Sequence, residues 1–190
     1  MQKLITSCRA FLVFALFLGL IYPLFIMGIG QVIFPVKANG SLLKNHDNTI
    51  IGSKLIAQEF TAHKYFHSRF SAINYNAADS GASNLSISNA KLYKQTKKHI
   101  NHIRLENDFP DDMKLPADMV LESASGLDPH ISLANTMLQL PRVAKHRGLT
   151  QERVKKLIET TIDDDFIGIW GAEGVNVLKL NIALDKPYPS

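Results

Sequence analysis

Cysteine is almost missing from this chain of 190 residues: Cys8 is the single one. No disulfide can close between two of its own residues, so a domain carried outside the cytoplasm must be held by its core alone. Disulfide-free exported domains point to a bacterial envelope. Charge of either sign is missing from Ala10 to Val36, twenty-seven residues in a row, and no acidic residue precedes them. The formal net charge is only +4. Basic residues are spread out apart from Lys91–Arg104, which excludes a nucleic-acid footprint. Lys91, Lys94, Lys97 and Lys98 read as the solvated face of a helix.

Catalytic signatures are absent too. There is no phosphate loop, no G-x-G-x-x-G turn and no H-E-x-x-H. Serines are plentiful (Ser80, Ser83, Ser86, Ser123, Ser125), but none sits in a G-x-S-x-G elbow. His63 and His67 have metal-like i,i+4 spacing, but their segment reads as extended, which would set them about 13 Å apart. They are taken as surface residues, and no metal site is expected. Asp163-Asp164-Asp165 lacks the alternate spacing of a calcium loop and reads as a helix-ending turn.

What is present begins with the apolar run AFLVFALFLGLIYPLFIMGIGQVIFPV. As a helix it would be about 40 Å long, against a hydrocarbon core of about 30 Å. It is too long for a signal peptide and has no small-residue cleavage site after Val36. The expected organisation is a cytoplasmic N-terminus over 1–9, a transmembrane helix over 10–36 and an extracytoplasmic domain over 37–190. Lys3 and Arg9 favour a cytoplasmic N-terminus. Pro23 predicts a kink, and Tyr22 lies deep for a residue with a hydroxyl to satisfy. Two readings stay open: a kinked lipid-facing anchor, or a helix packed on another membrane subunit, with Gly19 and Gly28 allowing close approach.

The exported part predicts an α/β or α+β domain of short strands and about three helices. Thr49–Ile51 and Leu55–Ala57 read as strand pieces around Gly52-Ser53, and Tyr65–Phe70 as a strand with Tyr65, His67 and Arg69 on one face. Ser88 caps a helix to about Asn107, with Leu92, Thr96, Ile100 and Ile103 inward. Ser132 caps a second, with Leu133, Met137, Leu140 and Ala144 inward and a break at Pro141. Thr150 caps a third, to about Thr160, burying Val154, Leu157 and Ile158. Val175–Leu184 reads as a core strand. Residues 74–84 and 122–130 are polar loops.

Several strings together resemble one family. They are Ile21-Tyr22-Pro23, Gly30-Gln31, Ala38–Leu42, Gly52-Ser53, Tyr65-Phe66-His67 with Arg69, Ser80–Leu85, Ser123–Ser132 (SASGLDPHIS), Gln139–Ala144 and Val175–Asp185. The chain resembles the KdpC family, the small subunits of bacterial potassium-pumping P-type ATPases, over nearly its whole length. The resemblance implies a non-catalytic accessory subunit of a high-affinity potassium importer, needed for assembly and stability. It also implies partners: a channel-like potassium-selecting subunit, a phosphorylated ATPase subunit, a small single-span subunit and the bilayer. The family is described as a catalytic chaperone that raises the ATP affinity of the ATPase subunit, so ATP is implied only within the complex. An extracytoplasmic domain would have to exert that effect through the membrane part.

By the same resemblance, Gln139, Arg142, Ser80, Gly81, Ser83 and Asn84 are candidates for nucleotide or partner contact. Ala82 replaces the second glycine of the family's Ser-Gly-Gly-Ser pattern, and no lysine stands near it, which argues against a phosphate cradle. Ser123, Ser125, Gly126, Asp128 and His130 form the family's signature loop, with Asp128 and His130 either facing a partner or fixing the entry to the Ser132 helix. The alternatives are a stand-alone anchored sensor or ligand-binding domain, and an anchored hydrolase.

Overall fold

The structure is a computed structural model that describes residues 1–44, 48–163 and 173–186. The chain divides into two compact units, Met1–Ile51 and Gly52–Ser190.

In the first unit, α1 (Gln2–Leu16), a π-helical turn (Phe17–Ile21) and α2 (Tyr22–Ile33) follow without a gap. Together, Gln2–Ile33 make a 32-residue helix long and apolar enough to cross a membrane. Helix thus begins ahead of Ala10, and it stops at Phe34 because that residue precedes Pro35 and takes φ −130°. Pro23 has no N–H to give. The chain answers by widening the turn before it, so that the Tyr22 N–H bonds Phe17 O, five residues back. A short helix, α3 (Pro35–Ala38), follows, and Asn39 Nδ2 ties its end to Pro35 O at 2.7 Å and Gln31 Oε1 at 3.1 Å. Strands β1 (Leu42–Lys44) and β2 (Ile50–Ser53) pair with each other.

The second unit contains α4 (Ala90–Asn107), α5 (Ala117–Val120), β3 (His130–Ile131), α6 (Leu133–Arg147), α7 (Gln151–Thr161), β4 (Ile162–Asp163), β5 (Gly174–Asn176) and α8 (Val177–Asp185). Helix α4 is capped by Asn89, not Ser88: Asn89 Oδ1 accepts from Lys91 N at 2.9 Å, while the Ser88 hydroxyl pairs with Ser86. Ser132 and Thr150 cap α6 and α7 as their positions predict. Helix α6 runs through Pro141 without a break. Pro141 lies on its exposed side, and so does Met137, whose carbonyl loses a donor to the proline. Met137 is therefore exposed rather than inward.

The largest departure from the sequence expectation is Val175–Leu184. Only Gly174–Asn176 is strand, and Asn176 Oδ1 caps a helix by accepting from Lys179 N at 3.1 Å. Val177, Leu178, Leu180, Asn181 and Leu184 are the buried positions, a helical and not an alternating pattern. Central β5 pairs antiparallel with β3 (His130 with Asn176) and with β4 (Ile162 with Val175). The main core joins Phe66, Ile131, Leu140, Val143, Val154, Ile158, Val175 and Leu180. A smaller one gathers Phe70, Ile100 and Leu115 around Ile103, Met119 and Val120.

Candidate functional site: a segment held by side chains and two interlocked loops

Tyr65–Phe70 is extended but belongs to neither sheet. At its ends it bonds backbone: Tyr65 N donates to Ala62 O, and Phe70 O accepts from Ser123 N. Between them its backbone partners are side chains. Phe66, fully buried, gives its N–H to Asn181 Oδ1 and receives Asn181 Nδ2–H at its carbonyl, both at 2.9 Å. His67 repeats the arrangement with Gln139: its N–H donates to Gln139 Oε1 at 2.8 Å, and Gln139 Nε2 donates to His67 O at 3.1 Å. Arg142 Nη1 donates to His63 O at 2.6 Å and Tyr65 O at 2.9 Å, and its Nη2 to Gln139 Oε1 at 2.8 Å. Arg147 Nε adds a bond to Lys64 O at 2.7 Å.

Gln139 and Arg142 are 3% and 5% exposed. Both face inward, and their polar atoms are used on this domain's own backbone and on the Asn107 and Asn135 side chains. Glu106, on α4, is the carboxylate behind Arg142, with His67 Nδ1 at 3.2 Å and His63 Nδ1 at 3.5 Å from its Oε1. Burial pushes the Glu106 pKa up, but the His67 contact and the charges of Arg142 and His102 outweigh it, and the net shift is downward. The two histidines that read as separate surface residues thus meet at one acid, because the chain from Ala62 to His67 turns back over α4. Among the described residues no three His, Cys, Asp or Glu side chains are grouped to hold a metal ion.

Two polar loops far apart in sequence are knitted into one surface. Ser80 Oγ and Gly81 N both donate to Ser125 O, at 3.3 and 3.0 Å. Gly126 takes φ +71°, and a Cβ there would lie 2.6 Å from Ile73 Cγ1 and 2.8 Å from Gly81 O. Ser71 Oγ donates to Gly126 O at 2.7 Å. Within the signature loop, Asp128 N donates to Ser123 Oγ at 3.3 Å and Leu127 N to Ser125 Oγ at 3.1 Å. These hydroxyls serve the loop's own backbone.

Ser83 and Asn84 lie beyond the contact between the loops, Ser83 half-buried and Asn84 exposed with φ +51°. Lysines do stand beside this loop in space: Lys91, Lys94 and Lys98 of α4 line the same cleft as Ala82 and Ser83. The sequence hid this because the turn over 85–89 folds the helix back along the loop.

Asp128 and His130 form a charged corner at β3. Arg69 Nη1 meets Asp128 Oδ2 at 3.2 Å, His130 N donates to Asp128 Oδ1 at 3.0 Å, and His130 Nε2 lies 3.1 Å from Asp163 Oδ2. Lys179 pairs with the other Asp163 oxygen. The Asp128 carboxylate raises the His130 pKa most; burial opposes it and Asp163 adds to it. Asp128 is lowered, first by His130, with Arg69 contributing and burial opposing. Asp163 is thus part of a strand contact rather than a helix-ending turn, while Asp164 and Asp165 lie outside the described residues.

In the first unit, a Cβ added at Gly19 or Gly28 would meet no atom within 4 Å, and Gly28 lies in an apolar groove on α2 with Leu24, Phe25, Ile29, Val32 and Ile33. Tyr22 is exposed. Sequence reasoning missed Asn181, Glu106 and Asn107, which complete the inner network. The signal for Asn181 was an amide inside an apolar run, where a buried polar group requires a partner.

The chain is thus a long apolar N-terminal helix followed by a small mixed domain whose most distinctive polar residues are spent on internal scaffolding. The family model described as "KdpC: K+-transporting ATPase, c chain" matches residues 4–186, and the chain belongs to this family. It is 44% identical over 187 residues to the "Potassium-transporting ATPase KdpC subunit" of Mycobacterium tuberculosis, covering 97% of this chain and 98% of that protein. The protein of that name in Caldanaerobacter subterraneus is 44% identical over 173 residues, covering 91% and 89%. That of Gloeobacter violaceus is 43% identical over 185 residues, covering 97% and 96%.

Proposed function

We propose that this chain is a non-catalytic subunit that stabilises an ATP-driven potassium importer and raises the ATP affinity of the ATPase subunit. It does so by binding one state of the pump better than another. What supports this reading, beside the family match, is the inward use of Gln139 and Arg142: they bond this domain's own 63–67 segment and are not offered to a nucleotide. ATP is bound by the ATPase subunit, and this chain supplies differential contact energy. Its partners are that subunit, the channel-like subunit and the small single-span subunit, with α1–α2 packed among their helices. The N-terminus lies in the cytoplasm and residues 37–190 outside, so coupling runs through the span.

Copurification and kinetics test this. The chain should leave detergent extract with a polytopic channel and an ATPase, and omitting it should raise KM for ATP of the potassium-stimulated ATPase. A chain that runs alone, or a KM that does not move, overturns the reading. A Cys8→Ser, Ser190→Cys variant should react with an impermeant thiol reagent added outside intact cells; protection there overturns the orientation.

A further inference from the structure

The middle of the span carries a polar defect. Pro23 has no N–H, so Gly19 O, the carbonyl one turn before it, has no helical donor. Leu18 O loses its donor too, because the Tyr22 N–H that would serve it is turned to Phe17 O. Single π-helical turns of this kind recur at functional sites. Gly19 is exposed, and a glycine's exposed surface is its backbone. A Cβ added there would meet no atom within 4 Å, so the space beside it is open.

The chain's own side chains do not meet this demand. The described side-chain donors around the span, Thr6, Ser7 and Asn39, bond Gln2 O, Lys3 O, Pro35 O and Gln31 Oε1, all toward the helix ends. Between Ala10 and Val36 the polar side chains are Tyr22 and Gln31. Gln31 stands about 18 Å from Gly19 along the axis. Tyr22 shares a face with Gly19 at i,i+3 spacing. It is exposed, and its hydroxyl has no partner among the described residues. The face therefore presents a bare acceptor and a bare hydroxyl together. From Ala10 to Gly19 is about 14 Å along the axis, which places the pair near the middle of a hydrocarbon core about 30 Å thick. Headgroups do not reach that depth. A proline defect there is tolerated where a neighbouring helix meets the freed backbone.

We propose that this face recognises a companion helix that presents, at mid-span, a side chain able both to donate and to accept: a serine or threonine hydroxyl, or an asparagine or glutamine carboxamide. That side chain donates to Gly19 O and accepts from the Tyr22 hydroxyl, and the missing Cβ at Gly19 lets it approach. The contact rests on the reading that α1–α2 packs among the helices of the other subunits, and it names the chemistry that selects the neighbour.

Carbonyl chemical shifts read the bond directly. Carbonyl-labelled glycine with nitrogen-labelled leucine marks the peptide pairs Gly19–Leu20, Gly126–Leu127 and Gly148–Leu149. Solid-state NMR in phosphatidylcholine bilayers then compares the full chain alone with the chain in its copurified complex. The Gly19 carbonyl should move downfield on assembly. Pro23→Ala returns a donor to Gly19 O within the helix, and alanine extends a helix better than proline. In that variant the carbonyl should already lie downfield in the chain alone and stay there on assembly. The same variant should recover about fivefold less of the other subunits from detergent extract. The inference is overturned by a Gly19 carbonyl that does not move although the other subunits copurify. It is overturned equally by one already downfield in the wild-type chain alone, where water or a second copy meets it, or by Pro23→Ala recovery equal to wild type. Failure of the wild-type chain to copurify at all overturns the packing of α1–α2 on companion helices, and this contact with it.

Discussion

Asn181 pairs with Phe66 as one strand pairs with another: one side-chain amide accepts the Phe66 N–H and donates to its carbonyl, both at 2.9 Å. Both residues are fully or almost fully buried. Asn181→Leu keeps the volume and strands two backbone groups. At about 1–3 kcal/mol for each unsatisfied group, the domain should lose a large part of its stability. Hydrogen–deuterium exchange of the peptide covering 63–70 should accelerate while the peptide covering α7 changes less; equal acceleration of both would mean global unfolding instead.

Arg142 makes four hydrogen bonds, to Asn107, His63, Tyr65 and Gln139, and backs onto Glu106 at 4.0 Å. Arg142→Leu leaves the Glu106 carboxylate without its buried cation, a loss of about 3–5 kcal/mol. Arg142→Lys should recover little of it, because an ammonium cannot reproduce the planar fork. Urea midpoints of the three proteins in the same detergent give the comparison, and a lysine variant matching wild type would refute the geometric argument.

Gly126→Ala forces a side chain into a left-handed backbone and against Ile73 and Gly81 O. The strain and overpacking together should cost about 2–4 kcal/mol. Gly148 also has positive φ but open space around it, so Gly148→Ala should cost about 1–2 kcal/mol. The difference in thermal midpoint between the two variants isolates the loop contact.

The β3 corner loses strength in both acid and base. His130 is raised above its ordinary 6.5, so its contribution is complete below that value and is lost as pH rises through the folded pKa. Asp128 is lowered below 3.8, so its contribution is complete above that value and is lost as pH falls through its folded pKa. The corner is therefore strongest between about pH 4 and 6.5. His130→Gln should flatten the stability profile from about pH 6 upward and also shrink the acid limb, because His130 is the first cause of the lowered Asp128 pKa and Arg69 alone is left to hold it down. Denaturation midpoints measured across that range check it.

Within the span, Gly28→Leu fills the groove on α2, and Pro23→Leu removes the cause of the widened turn before it. Both should lower the yield of partner subunits recovered with the chain if the helix packs on them. Unchanged recovery would make the span a simple anchor.

Much of the architecture was readable from local chemistry. Ser132 and Thr150 cap helices because their hydroxyls meet the third amide onward, and the burial of Val154 and Ile158 follows from helical spacing. The long apolar helix was readable from composition alone. Val175–Leu184 misled because a short aliphatic run carries no period by which to tell strand from buried helix; Asn176 and Asn181 settle it only once their partners are known. Tyr65–Phe70 has strand character without a strand neighbour, since what completes its bonding lies 72 to 115 residues away. The contact of the lysines with the Ser83 loop depends on a turn whose direction no local propensity specifies.

A ladder can slide by two residues and re-form the same bonds; the 63–70 stretch cannot. The Tyr65 carbonyl and the Phe66 and His67 peptide groups each answer to a different side chain, delivered from a fixed place on α6 or α8. Its alignment is keyed like a lock's pins, so deleting one residue between Tyr65 and Arg69 would mismatch every pin at once, whereas the same deletion in the 74–79 loop would leave them all seated.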